Sequence, residues 1–162
     1  MFEIEKTYLV KQIHTNLSEQ RSQQILQGYI SSSPSPLRIR KIGDTFEITK
    51  KLPVKKGDFG IVEEINIPIT RYEFAKLWPL VEKSLEKVRY FIPLEGNLIA
   101  ELDIFQGDLT GLSFVEVEFT SKIQMSSFQP PDWFGRDITQ EEFSANVYLA
   151  GKTYQEIQAY LT

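Results

Sequence analysis

The 162-residue chain has no cysteine, which excludes disulfides, thiolate metal sites and cysteine nucleophiles. It has a single histidine, His14, so a catalytic zinc site built on two or three histidines cannot form within one chain. Any metal must be held by carboxylate oxygens, which favours Mg²⁺, Mn²⁺ or Ca²⁺. No apolar run reaches the roughly 18 residues of a membrane helix. The segment MFEIEKTYLV carries charge from its third residue, unlike a signal peptide. No membrane partner is therefore expected, and the lack of cysteine agrees with a cytoplasmic location. The net charge of −4 gives no general attraction to nucleic acid. No nucleic-acid partner is expected, and the basic partners of an anionic ligand must be gathered locally. Gly57 and Gly60 lack the G-x-x-x-x-G-K-[ST] setting of a phosphate loop, and the serines of 31–35 sit in no nucleophile elbow.

What is present is alternation. The length suits one domain, 1–162, with no internal repeat or linker. Period-two patterns predict strands near 2–11, 28–32, 37–42, 45–52, 60–68, 86–93, 98–106 and 113–121. Turn signals separate them at Gly43-Asp44, Lys56-Gly57-Asp58, Glu95-Gly96-Asn97 and 107–111. Helices are expected at 17–26, capped by Ser18, and at 71–83, capped by Thr70, where Phe74, Leu77, Trp78 and Val81 recur at helical spacing. The tail, 139–161, reads as one or two short helices, and 31–36 as a loop. Eight strands in one small domain predict a mainly β, α+β fold: a closed antiparallel barrel with a few flanking helices, because closure removes exposed edges.

Charge and apolarity fall on opposite faces of these strands. Glu3, Glu5 and Thr7 alternate with Phe2, Ile4, Lys6 and Tyr8; Arg38 and Arg40 with Leu37 and Ile39. Glu47, Thr49 and Lys51, then Lys87 and Arg89, Glu101 and Asp103, and Glu116 and Glu118 repeat the pattern. A solvated sheet face would mix signs and include more Ser, Thr, Asn and Gln. Here whole strands are acidic or basic, which points to a polar bore with an apolar exterior. Paired carboxylates resist ionising together unless a cation sits between them. Arginine forks and lysine point charges complement phosphate oxygens. A ligand bridged to acids by metal and held directly by bases is a phosphate chain.

At these residues the sequence resembles the CYTH, or triphosphate tunnel metalloenzyme, superfamily. E-I-E-K-T-Y-L-V at 3–10 is similar to its E-x-E-x-K strand. L-R-I-R at 37–40, I-T-K-K at 48–51, E-K-V-R-Y at 86–90, E-L-D at 101–103 and V-E-V-E-F at 115–119 follow in order. P-P-D-W-F-G at 130–135 and D-I-T at 137–139 resemble the compact bacterial branch. The resemblance implies an eight-stranded tunnel and Mg²⁺- or Mn²⁺-dependent hydrolysis of a terminal phosphate, with inorganic tripolyphosphate the favoured substrate of that branch. The mechanism expected from these residues sets Glu3, Glu5, Glu116 and Glu118 on one metal, and chiefly Glu64, Glu101 or Asp103, with others shared, on a second that activates water. Arg38, Arg40, Lys51, Lys87 and Arg89 bind substrate, and Tyr29 tunes the reaction. A homodimer is compatible with this reading. The sequence departs from the pattern at three places: Thr7 stands where the lysine belongs, Val62 where one acid belongs, and Val147 where a basic residue is common. Thr7 and Val62 leave open a polyphosphate- or nucleotide-binding tunnel with little turnover. Thiamine triphosphatase and adenylyl cyclase types are alternatives within the same fold. A lipocalin-type carrier would need a greasy bore. Trp78 and Trp133 read as packing residues, the Tyr154, Ile157 and Leu161 stripe as a docking face, Lys55-Lys56 as a solvated loop and His14 as a surface residue.

Overall fold

Alternating sequence becomes strand along most of the chain. The computed structural model describes residues 2–13, 15–31, 35–57 and 59–162; the readings for His14, Asp58 and 32–34 lie outside them. The strands are β1 (Phe2–Val10), β2 (Arg21–Ser31), β3 (Leu37–Ile42), β4 (Thr45–Pro53), β5 (Ile61–Ile69), β6 (Lys83–Pro93), β7 (Ile99–Phe105) and β8 (Ser113–Glu118). They pair antiparallel in the order β5-β4-β3-β2-β6-β7-β8-β1, and β5 returns to β1 through Phe2↔Glu63 and Ile4↔Ile61, closing the expected barrel. Gly96 and Asn97, at φ 71° and 58°, make the left-handed turn between β6 and β7.

Three features depart from expectation. The helix expected over 71–83 stops at Leu77, continues only as the 3₁₀ turn Trp78–Leu80, and gives way to β6 at Lys83. Residues 17–26 are not a helix: only Leu17–Glu19 forms a 3₁₀ turn, capped by Asn16, and β2 begins at Arg21. Gln is a good helix former, and Ile25-Leu26 imitates a helical face. Pairing to β6 from Arg21↔Phe91 to Tyr29↔Lys83, and to β3 on the other edge, overrides that propensity. A ninth strand, β9 (Phe134–Asp137), is also present. β5 covers only the first part of β1, and β9 takes the rest of that edge through Tyr8↔Asp137 and Val10↔Phe134. Four residues are too few to show a period.

Helices cover two sectors of the exterior. α1 (Arg71–Leu77) starts at Thr70, whose side chain forms a reciprocal capping box with Glu73, and ends before Pro79. Its Phe74, with Leu77 and Trp78, packs on Ile39 and Phe46 of β3 and β4. α2 (Lys122–Ser127) and the segment through Phe128, Trp133 and Phe134 cover Tyr8, Leu102, Val115 and Val117. The outer face of β5 stays bare, with Ile65 and Ile67 exposed. At one end of the barrel the inward Leu85, Phe105 and Phe114 meet Ile138, Phe143, Leu149 and Ile157 of the tail, which holds α3 (Asn146–Leu149) and α4 (Tyr154–Ile157). The tail stripe thus docks as expected, with Tyr154 and Leu161 packed against this plug. Among the described residues no helix is long and apolar enough to cross a membrane.

Gly28 on β2 lies beneath α1 and the turn that follows it. A Cβ there would stand 2.6 Å from Val81 Cγ1 and 3.0 Å from Trp78 Cζ3. Gly28→Ala should lower the unfolding free energy by about 1–3 kcal/mol, the usual cost of overpacking. Urea denaturation checks this, and an unchanged midpoint would mean that the turn yields freely.

Candidate active site

Side chains alternate along a strand, and residues paired across strands point to the same face. The registers Glu5↔Glu118, Thr7↔Glu116, Glu101↔Glu116, Arg89↔Asp103, Tyr29↔Arg38, Arg40↔Glu47 and Lys51↔Glu64 therefore line one bore. Every residue expected in the bore is on its inner face. Parity also holds at the departures. Thr7 is buried inside, whereas Lys6 points outward, 3.7 Å from Asp137. Glu63 is exposed, and its neighbour Glu64 faces Lys51.

The charges form three groups. Glu3, Glu5 and Glu118 can each offer an oxygen within 4.8 Å of the others, a carboxylate set able to hold a cation. Arg89 is the hub of the second group: it donates to Glu101, to both oxygens of Asp103 at 2.7 Å and to Glu116 at 2.5 Å. Lys87, fully buried below it, donates to Asp103 at 2.5 Å and to Asn146 Oδ1 at 3.2 Å. In the third group Lys51 lies between Glu3, at 2.8 Å, and Glu64, at 3.2 Å, while Arg40 grips Glu47.

Arg38 differs from the other four bases. It is 5% exposed, its Nη2 donates to Thr49 Oγ1 at 3.4 Å, and its Nε has no hydrogen-bond partner. Among the described residues it forms no ion pair. It borders a cavity of about 380 Å³ together with Glu5, Thr7, Tyr29, Lys51 and Glu116, within the roughly 300–1,000 Å³ of ligand pockets. Tyr29 is buried there, its hydroxyl accepting from Gln27 Nε2 at 3.0 Å.

Crowding shifts the carboxyls apart. Burial, then Glu116 and Glu3, push Glu5 well above its ordinary value. Burial and Glu3 raise Glu118, and burial lifts Glu101 to about 7 against the pull of Arg89. For Asp103, burial acts upward but Arg89 and Lys87 outweigh it and hold the carboxyl below its usual range. For Glu64, burial is likewise outweighed, by Lys51, by a hydrogen bond from Asn66 and by Arg38, leaving it at about 2. Sequence reasoning assigned no role to Glu47, Thr49, Asn66 or Asn146. The alternation of β4 and β5 carries the signal for the first three. Asn146 lies in the tail, where no period reaches the bore.

A closed barrel whose inner wall sets clustered acids beside buried bases defines the triphosphate-tunnel class. No family model matches the chain. It is 36% identical over 154 residues to the inorganic triphosphatase of Nitrosomonas europaea, across 93% of this chain and 97% of that protein. It is 28% identical to the inorganic triphosphatase of Acetivibrio thermocellus, across 82% and 83% of the two. The crystal structure of the inorganic triphosphatase NE1496 superposes with a TM-score of 0.67 at 33% identity, over 91% of this chain and 93% of that one. HpAC1 from Hippeastrum, at 18% identity and a TM-score of 0.59, over 76% of this chain and 82% of that one, shares the fold. The chain belongs to the CYTH superfamily, in the family of these inorganic triphosphatases.

The shifts fix the sign of the pH dependence of the metal-free protein. Glu101, at about 7, with Glu5 and Glu118, lies above the ordinary 4.5, so their contribution is complete below about pH 4.5 and lost as pH rises through their folded values. Asp103 and Glu64 lie below their ordinary values, so their contribution is complete above about pH 4.5 and lost on acidification. Metal-free stability should peak near pH 4.5–5 and then fall toward pH 8, by about 3 kcal/mol from Glu101 alone. Saturating Mg²⁺ or Mn²⁺ should flatten the fall, since metal favours the ionised acids. Urea titrations at three pH values, in chelator and in metal, check this. Metal-free stability climbing steadily to pH 8 would contradict it.

Proposed function

We propose that this chain is a divalent-metal-dependent hydrolase of the terminal phosphate of a triphosphate, with inorganic tripolyphosphate as a substrate. The observation that carries the reading is Arg38. A buried guanidinium with no carboxylate partner is costly unless an anion meets it, and the cavity gives an anion access to it. The printed activity of the relatives supports the same reading.

The residues fit a hard divalent cation. Glu3, Glu5 and Glu118 are close enough to share one, and the burial and mutual repulsion that raise Glu5 and Glu118 are the penalties a cation relieves. Glu116, Glu101 and Asp103 adjoin them, each already held by Arg89. A Mg²⁺ or Mn²⁺ ion held by these carboxylates would supply Lewis-acid polarisation of phosphate oxygens and offset charge on the leaving group. Arg38, Arg40 and Lys51 hold the chain of phosphates directly. Lys87 and Arg89 act chiefly through the acids they grip. Water's oxygen bonds to the terminal phosphorus, the bridging P–O bond breaks, and orthophosphate and the shorter chain leave. Glu101, beside Glu116 on the inner face, accepts the water's proton. Glu64 stays ionised and steadies Lys51, and the Tyr29 hydroxyl orients the phosphate chain.

Phosphate release from tripolyphosphate should need Mg²⁺ or Mn²⁺ and vanish in excess chelator. Glu5→Gln should cost about 100-fold or more in kcat. Arg38→Met should raise KM roughly 10- to 150-fold, the value of a charge-assisted hydrogen bond. Tight tripolyphosphate binding with no turnover in any metal would instead establish a binding module.

The bore's parity generates a second expectation. Thr7→Lys places an ammonium beside Glu5 and Glu116 and should change tripolyphosphate affinity by about 1.5–3 kcal/mol. Lys6→Ala removes only an outward surface pair, worth under about 1 kcal/mol, and should leave turnover nearly unchanged. The reverse pattern in steady-state kinetics would shift the register of β1 by one and remove Glu3 and Glu5 from the site.

A further inference from the structure

Two polar side chains that border the cavity come from the tail and take no part in the chemistry above: Ser144 and Asn146. The Asn146 amide has a fixed orientation. Lys87 Nζ lies 3.2 Å from its oxygen, and an ammonium can only donate, so Oδ1 is the atom that faces it. Nδ2, with two N–H donors, is then turned away from Lys87, and among the described residues it has no hydrogen-bond partner. The Ser144 hydroxyl likewise has none among them, although Ser144 is only 8% exposed. Neither atom is sealed in the protein without a partner, so both open on solvent, and the cavity is the open space that both residues border. Thr139 borders it too, but its hydroxyl donates to Asp137 and accepts from Thr7 N.

Other residues hold the segment that carries these donors. Phe143 packs edge-on to Phe114 and stacks on Tyr160, and Leu149 is fully buried. Backbone bonds from Ser144 N to Glu141 O, Ala145 N to Glu142 O and Ala150 N to Asn146 O set its shape. Ala145 is extended, at φ −72° and ψ 129°, which lets the side chains on either side of it share one face. Donors fixed in this way lose little freedom on meeting an anion. Glu142 also borders the cavity but is exposed, where solvent and salt screen its repulsion.

Resting on the triphosphatase reading above, we propose that Ser144 and Asn146 are substrate-binding residues: Ser144 Oγ–H and Asn146 Nδ2–H donate to non-bridging phosphate oxygens, while Asn146 Oδ1 keeps its bond from Lys87. The phosphate chain is then held by cations from the barrel wall and by neutral donors from the tail. Asn146 joins the two, since one end of its amide meets the phosphate and the other steadies a base of the bore.

The test measures calorimetric affinity for a methylene-bridged, non-hydrolysable tripolyphosphate, and steady-state phosphate release from tripolyphosphate, both at saturating Mg²⁺. Ser144→Ala and Asn146→Ala should each weaken binding about tenfold or more, the value of a hydrogen bond to a charged group, and raise KM more than they lower kcat. A double-mutant cycle separates contact with substrate from an effect through Lys87: beside Lys87→Met, Asn146→Ala should still weaken binding about tenfold. Circular dichroism verifies each fold. Affinity within about twofold of the unaltered protein in Ser144→Ala, or a loss in Asn146→Ala that vanishes beside Lys87→Met, overturns the proposal. Should Lys87→Met not fold, NMR of the unaltered protein decides. The Asn146 carboxamide signals, identified by their loss in Asn146→Ala, move on adding the analogue if the contact forms, and signals that stay in place overturn it. The expected losses of affinity without any phosphate release sink the hydrolase reading and leave the tail contacts standing. No binding of the analogue by the unaltered protein overturns both.

Discussion

One guanidinium holds this interior together. From β6, Arg89 meets Glu101 and Asp103 of β7 and Glu116 of β8 at once, because the registers force those acids onto the same face. Without it, three carboxylates would share a space largely screened from water, where like charges repel far more strongly than in solution. Lys87 adds a second cation beneath Asp103. Together they make an acidic wall tolerable in the absence of any ligand. The interior is thus largely neutralised, and its remaining imbalances are local: surplus acid at Glu3, Glu5 and Glu118, and surplus base at Arg38.

That division explains why chemistry concentrates where it does. A network in which every member is paired has little to offer a ligand, because each new contact must break an old one. Asp103 and Lys87, each about 1% exposed, are such members. Glu5 and Glu118, crowded acids, and Arg38, which forms no ion pair among the described residues, are the members this network leaves least neutralised. Lys51 links the two, since it lies on Glu3 and Glu64 and also borders the cavity beside Arg38.

Much of this was legible in the sequence, for a definite reason. A strand that divides interior from exterior must alternate, and Glu3-Ile4-Glu5 or Arg38-Ile39-Arg40 records that division residue by residue. Parity alone placed Thr7 inside and Lys6 outside. β2 was hidden because its inward residues Gln23, Ile25 and Gln27 do not contrast with the outward Gln24 and Leu26, so no period stands out. β9 was hidden because it exists only to finish an edge that another strand leaves unpaired. The solitude of Arg38 was not legible either. Alternation gives the face of a side chain but not which of several acids will turn toward it, and that depends on the stagger of eight strands around the barrel.

β1 is shared among β8, β5 and β9, so the strands that pair with Phe2–Val10 all lie from residue 61 onward. Such long-range pairing is slow to form and cannot begin before the distant strands exist. During synthesis Glu3 and Glu5 emerge well before Glu118; Lys51 and β5 can meet them earlier, but the third carboxylate of the cluster comes only with β8. An incomplete chain is therefore a chain without its three-carboxylate site. The three acids come together only when the wall that encloses them is nearly finished.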